Sequence, residues 1–240
     1  MAAYVLIPGS GGRAWYWHRL VAELSARGHD TEAVDLPAAD DSAGLTEYTD
    51  AVVAAIADRD ADAGPGAPLV VVAQSMGGFI GPLVCDRVPV DLLVLLNAMV
   101  PSPGETGGEW WANTGQERAR TEKAAIDGRT VGGEFDPMDE FFHDVPAEVT
   151  AQALAMGDPP QSATPFAEPW PLEHWPEVPT RSLQGRDDRF FPLEFQRRVV
   201  LERLGIPVDD MPGGHLVALS RPRELADRLE TYLADPRPSP

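Results

Sequence analysis

Short apolar runs alternate with amphipathic stretches through the first hundred residues of the chain and again through the last sixty. Tyr4 to Pro8 predicts a buried strand, followed by the glycine-rich loop PGSGG. In RAWYWHRLVAELSARGH, residues Trp17, Leu20, Val21 and Leu24 fall at helical spacing, and Gly28 supplies a C-terminal stop. A second strand is expected from Glu32 to Leu36, broken by Pro37. Leu45, Tyr48, Val52, Val53 and Ile56 mark one face of a helix, and DADAGPGAP reads as the loop after it. Leu69 to Ala73 then predicts a strand, Met76 to Arg87 a helix, and VDLLVLLN a further strand. Strands that are apolar throughout have no water-facing side, so they require a parallel sheet covered by helices on both faces.

The alternation stops after Asn97. From Ala98 to Pro179 no strand pattern appears, but prolines and aromatics crowd into EWWANTG, DEFFHD and PFAEPWPLEHWPEVP. Such a stretch is too long for a connecting loop and too apolar for a disordered linker. The expectation is an inserted, mainly helical cap over 98–179, carried by an α/β core formed from 1–97 and 180–235. In the second core segment TRSLQG predicts a strand, LEFQRRVVLERLG a helix, Val208 to Met211 a strand, and Leu225, Leu229 and Leu233 one face of a last helix. Residues 236–240 read as a frayed tail.

Charge and composition narrow the partners. A formal net charge of -19 and a pI near 4.5 disfavour nucleic acid and anionic membrane surfaces, which need Lys and Arg to neutralise phosphates. The opening MAAYVLIPGS has neither a basic leader nor a long apolar run, so a cytoplasmic protein without a membrane span is expected. The single cysteine, Cys85, leaves no internal disulfide and reads as a buried core residue. No Cys or His cluster has metal-ligand spacing, and neither metal nor cofactor is called for.

Candidate chemistry enters at LVVVAQSMGG, where a buried strand ends on Ser75 between Ala73 and Gly77. Small residues two positions either side of a serine are the steric requirement of a nucleophile elbow, a strained strand-to-helix turn that pushes the hydroxyl outward. The competing reading is a serine that caps the following helix. A serine hydroxyl is a weak nucleophile, so the rest of the chain must supply a base, an acid to orient it and donors for an oxyanion. Of five histidines only His215, in MPGGHLVALS, follows a core strand near the C-terminus. His18 and His29 belong to the first helix and read as surface residues, while His143 and His174 lie in the cap. The loop RDDRFFP offers Asp187 and Asp188; the loop after LLVLL presents Asn97 and no carboxylate. Met76 N–H, next to the serine, and Ser10 N–H, in PGSGG, are the candidate oxyanion donors.

These segments resemble the α/β-hydrolase superfamily, and within it the cap-bearing branch that includes plant methyl esterases and hydroxynitrile lyases. The resemblance runs through YVLIPGSGGRAWYWHRL, VVAQSMGG, GRDDRFFPLEFQRR and PGGHLVALSRPRELADRL, with FFHDVPAEV matching the cap. It selects Asp188, because the family places its acid before a basic residue, two apolar residues and a proline. It implies a serine hydrolase of small or medium apolar esters, with Ser75, His215 and Asp188 as triad. Lactone, thioester, C–C and peracid chemistry use the same machinery, and a non-catalytic small-molecule binder uses the same fold. Three departures stand out: Pro8-Gly9 in place of His-Gly, Ala73 in place of the elbow glycine, and Gly9 and Leu216 where the lyases carry threonine and lysine. The last pair argues against cyanohydrin cleavage. Gly9, Trp110, Phe142, His143 and Trp170 are the expected pocket residues, but the cap aromatics Trp110, Trp111, Phe141, Phe142, Phe166 and Trp170 read at least as well as the glue between cap and core.

Overall fold

The computed structural model describes residues 1–63, 66–129 and 135–235. The expected tail at 236–240 lies outside them, as do residues 64 and 65 of the predicted loop. Six strands, β1 (Ala3–Ile7), β2 (Asp30–Ala33), β3 (Leu69–Gln74), β4 (Leu92–Leu96), β5 (Thr180–Gly185) and β6 (Val208–Met211), form one parallel sheet in the order β2-β1-β3-β4-β5-β6. The expected α/β architecture is therefore the observed one. β2 begins earlier than predicted and ends at Ala33, because Leu36 N–H turns away to Gly12 C=O at 2.8 Å and the glycine-rich loop takes the chain out of the sheet.

Alternate side chains of the fully buried strands go to opposite faces, as the strand period demands. Val5, Ile7, Val71, Ala73, Leu93 and Leu95 pack against α2 (Leu45–Ala63), α3 (Gly77–Arg87) and α9 (Leu193–Leu204). Tyr4, Leu6, Val70, Val72, Val94 and Leu96 pack against α1 (His18–Ala26) and α11 (Pro222–Ala234), whose Leu225 and Leu229 are fully buried. A 3-10 turn, Ala14–Trp17, precedes α1. α2 runs on to Ala63, four residues into the stretch read as a loop.

The connection from β4 to β5 carries α4 (Gly107–Thr114), α5 (Gln116–Ile126), α6 (Pro137–Glu140), α7 (Ala147–Ala155) and α8 (Thr164–Ala167), plus one isolated antiparallel bridge, Thr106 to Pro169. Its tryptophans are its roots. Trp110 is fully buried and donates to Val100 C=O at 3.0 Å; Trp170 donates to Phe79 C=O at 3.1 Å. A short α10 (Val217–Ser220) completes the core before α11. Cys85 is half-buried, not fully buried as expected, because it falls near the solvent end of α3; burial still pushes its thiol up to about 12. Among the described residues, no helix is long and apolar enough to cross a membrane.

The sheet order fixes where a site can form. After β2 the chain returns past β1 to lay down β3 on the other side, so β1 and β3 diverge at a topological switch point, where the carboxyl ends of parallel strands leave a crevice. The register aligns Ile7 with Ala73, Gln74 with Leu96 and Gly185 with Met211, bringing the loops after five strands to one edge.

Candidate active site

Ser75 follows β3 directly and has φ +54°, a left-handed backbone that side-chain-bearing residues rarely adopt. Close packing enforces it. Ser75 C=O accepts from Gly78 N–H at 3.0 Å and Met99 N–H at 2.9 Å, while Ser75 N–H donates to Leu96 C=O at 3.3 Å. A Cβ on Gly78 would lie 1.9 Å from Met99 O, and one on Gly9 would lie 2.9 Å from Ser75 Cβ. The loop after β1 thus presses against the serine across the switch point. The extra methyl of Ala73 is accommodated by Gly81 on α3, where any Cβ would come within 2.9 Å of Ala73 Cβ.

His215 lies in the loop after β6 and is buried. Its Nδ1 meets Asp188 Oδ2 at 2.8 Å. Asp188, fully buried in the loop after β5, accepts three further hydrogen bonds: Gln184 Nε2 on Oδ2 at 3.0 Å, and Phe190 N–H and Phe191 N–H on Oδ1 at 2.8 and 2.9 Å. Donors thus face both oxygens, as suits a carboxylate, which accepts on each. The Nδ1 proton therefore stays on the imidazole, and Nε2 is left as a base. Phe141 stacks on the ring at 5.0 Å between centroids, and Phe190 and Phe191 meet it edge-on. Asp187, the other carboxylate of the pair, is exposed and accepts from Gly213 N–H at 3.1 Å.

Ser75 and His215 line one cavity of about 320 Å³ together with Gly9 and Ser10. Its remaining walls are chiefly apolar: Tyr16, Phe135, Pro137, Met138, Phe141, Phe142, Ala153, Leu154 and Pro159. Ser75 Oγ has no hydrogen-bond partner among the described residues, and neither Ser10 N–H nor Met76 N–H donates to a protein acceptor there. Burial pushes the Tyr16 phenol up, keeping it protonated at the cavity wall.

Three expected pocket residues, Trp110, Trp170 and His143, do not line the cavity. Trp110 and Trp170 anchor the β4–β5 connection to the core, their indole N–H groups committed to backbone carbonyls. Gly9 and Phe142 do line the cavity. His143 sits beneath it against Gly214, where a Cβ would come within 2.7 Å of its Nε2. Burial, with Arg189 nearby, holds the His143 imidazole below its ordinary range and hence neutral. His174 is exposed. His29 is not a surface residue as expected: its side chain is enclosed between Tyr4 and Glu230, whose Oε1 is 3.0 Å from Nε2. His18 is half-buried over Trp15.

Asn97, in the sequence only the absence of a carboxylate after β4, has a place of its own in the site. It has φ +46°, donates Nδ2 to Gly214 C=O and His215 C=O at 3.1 and 2.9 Å, and accepts from Gly185 N–H at 2.7 Å. It ties the histidine loop to the acid's strand. Its place directly after the apolar β4 run was the available signal. Among the described residues, no three His, Cys, Asp or Glu side chains gather as a metal site requires.

The model of a family described as alpha/beta hydrolase matches residues 4–228. An esterase of Oryza sativa subsp. japonica is 30% identical over 257 residues, covering 94% of this chain and 93% of the relative. A probable esterase of Oryza sativa subsp. indica is 29% identical over 256 residues, 94% of each chain. Among solved structures, polyneuridine aldehyde esterase superposes with a TM-score of 0.73 at 23% identity, over 98% of this chain and 100% of that one. A pyrethroid hydrolase from Sphingobium faniae gives 0.70 at 23% identity, over 98% of both chains. At that identity the structural likeness speaks for the fold.

Proposed function

We propose that this chain, which belongs to the alpha/beta hydrolase family, is a serine-dependent carboxylic ester hydrolase for small or medium apolar esters. One observation carries the reading: a serine held in left-handed backbone at the end of β3 shares a cavity with a buried histidine whose other nitrogen is bonded to a buried carboxylate. The names of the rice relatives support the ester class.

Ser75 Oγ attacks the acyl carbon as His215 Nε2 takes its proton, and the imidazolium returns that proton to the departing alcohol. Water then attacks the acyl-enzyme, deprotonated by the same nitrogen, and the acid leaves Ser75 free. Asp188 stays ionised and stabilises the imidazolium. Met76 N–H and Ser10 N–H take the oxyanion, a task for which free, fixed donors are suited because they need no reorganisation when charge develops. The β4–β5 connection serves as the cap, since Phe135, Met138, Phe141 and Leu154 supply cavity wall.

Turnover of p-nitrophenyl acetate and butyrate tests the proposal. The parent should hydrolyse both, and Ser75→Ala should lose at least about 10³-fold in kcat. Parental turnover by Ser75→Ala would refute Ser75 as nucleophile, and no turnover by the parent on any ester of a chain-length panel would refute the ester class.

A further inference from the structure

Five backbone groups of Gly213, Gly214 and His215 are held by side chains or strand-end backbone. Asp187 accepts from Gly213 N–H, and its own N–H donates to Gly213 C=O at 2.9 Å. Asn97 donates to Gly214 C=O and His215 C=O, and Gln74 Nε2 donates to His215 C=O at 3.2 Å. All three residues sit at the carboxyl ends of sheet strands. The fifth group has a partner of different origin: Gly214 N–H donates to Asp144 Oδ2 at 2.8 Å, and Asp144 belongs to the β4–β5 connection.

The fit there is close. A Cβ on Gly214 would lie 2.7 Å from both Asp144 Oδ1 and His143 Nε2, so the connection packs directly on the backbone preceding the histidine. Both of those atoms are buried and without a hydrogen-bond partner among the described residues, so the bond through Oδ2 to Gly214 is the one that the Asp144 carboxylate makes there. Three residues earlier in the same turn, Phe141 stacks on the His215 ring. One turn of the connection therefore grips the histidine twice, by its ring face and by the amide before it.

We infer that Asp144 is a positioning residue for His215, acting through the Gly214 amide, so that the pose of the β4–β5 connection sets the pose of the base. The inference rests on His215 being that base. Its role is to accept one hydrogen bond at a fixed point; a neutral acceptor of the same shape does the same work.

The test compares the parent with Asp144→Ala and Asp144→Asn, each verified as folded by near-UV circular dichroism. Two readouts are taken: kcat and KM on p-nitrophenyl butyrate, and the low-field proton resonance of His215 Nδ1–H, which needs no turnover. Asp144→Ala should lower kcat about tenfold or more with KM within about twofold, since small misplacement of a catalytic group is costly in rate. Its Nδ1–H resonance should be lost to exchange. Asp144→Asn should keep the resonance and stay within about threefold of the parent. A folded Asp144→Ala with parental kcat and resonance overturns the inference, as does Asp144→Asn falling as far as Asp144→Ala. If Asp144→Ala does not fold, Asp144→Ser, too short to reach Gly214, carries the same expectation. A parent that cleaves no ester, with the resonance still responding to Asp144, would sink the hydrolase reading and leave the positioning role standing.

Discussion

Left-handed backbone at a residue with a side chain costs roughly 1–2 kcal/mol, and Ser75 bears that cost because three backbone hydrogen bonds and the absent side chains of Gly9 and Gly78 leave no alternative. Gly81→Ala is expected to destabilise by about 1–3 kcal/mol, since its methyl would overlap that of Ala73. Adding Ala73→Gly should recover part of that loss in thermal unfolding, and a strictly additive pair would show that the two positions do not share the space. The tight turn at Ser75 was legible from Ala73 and Gly77, because small residues two positions either side of it permit the close packing that a left-handed turn at a strand end needs. The tolerance of Ala73 was not legible. Its compensating glycine lies about one turn along α3, on a face that only the packed sheet defines. Likewise the chain itself left Asp187 and Asp188 open, and resemblance to a family chose Asp188. In the fold the two part because Asp188 is buried beneath His215 with four donors around it, while Asp187 faces water.

Among the elements, the strands and core helices were readable because burial on both faces leaves little but Val, Leu and Ile in β1, β3 and β4. The β4–β5 connection was readable only as an aromatic-rich insertion. α6 and α8 are four residues each, too short for periodicity to register, and α5 is largely polar. Trp110 and Trp170 read either as pocket walls or as anchors, an ambiguity inherent in large apolar side chains, and in the fold they are anchors. A buried ion pair fastens the same connection: Arg203 on α9 donates Nη2 to Glu105 Oε1 at 2.9 Å, with Asn113 donating to the same oxygen at 2.8 Å. Burial pushes the Glu105 carboxyl up, but the hydrogen bonds from Arg203 and Asn113 outweigh it and hold the group below its ordinary 4.5. Glu105→Ala is expected to cost about 3–5 kcal/mol, because it leaves the largely buried Arg203 guanidinium without its carboxylate and, among the described residues, with only Val100 C=O to accept from it. A group depressed in the folded state stabilises fully above its unfolded pKa and stops doing so as pH falls through the folded one. The gap in melting temperature between the parent and Glu105→Gln should therefore be full at neutral pH and narrow once pH drops below about 4.5. A gap that widened in acid would contradict this account of the pair.

For the whole molecule, the net charge of -19 acts on any substrate that approaches the cavity. Among its lining residues the charged or titratable side chains are His215, Asp158 and the protonated Tyr16, with no Lys or Arg. An ester carrying a free carboxylate should be repelled, and salt should relieve the repulsion. Raising ionic strength is accordingly expected to increase kcat/KM for a p-nitrophenyl hemisuccinate while leaving that for the neutral butyrate unchanged. Equal salt responses for the two would show that the protein's field does not reach the site.

Whether Ser75 carries the acyl group is read out by peptide mapping after reaction with a fluorophosphonate. A single adduct is expected on the peptide containing Ser75, none in Ser75→Ala, and slowed labelling in His215→Ala. An adduct on another residue, or labelling that persists undiminished in Ser75→Ala, would contradict that role of Ser75.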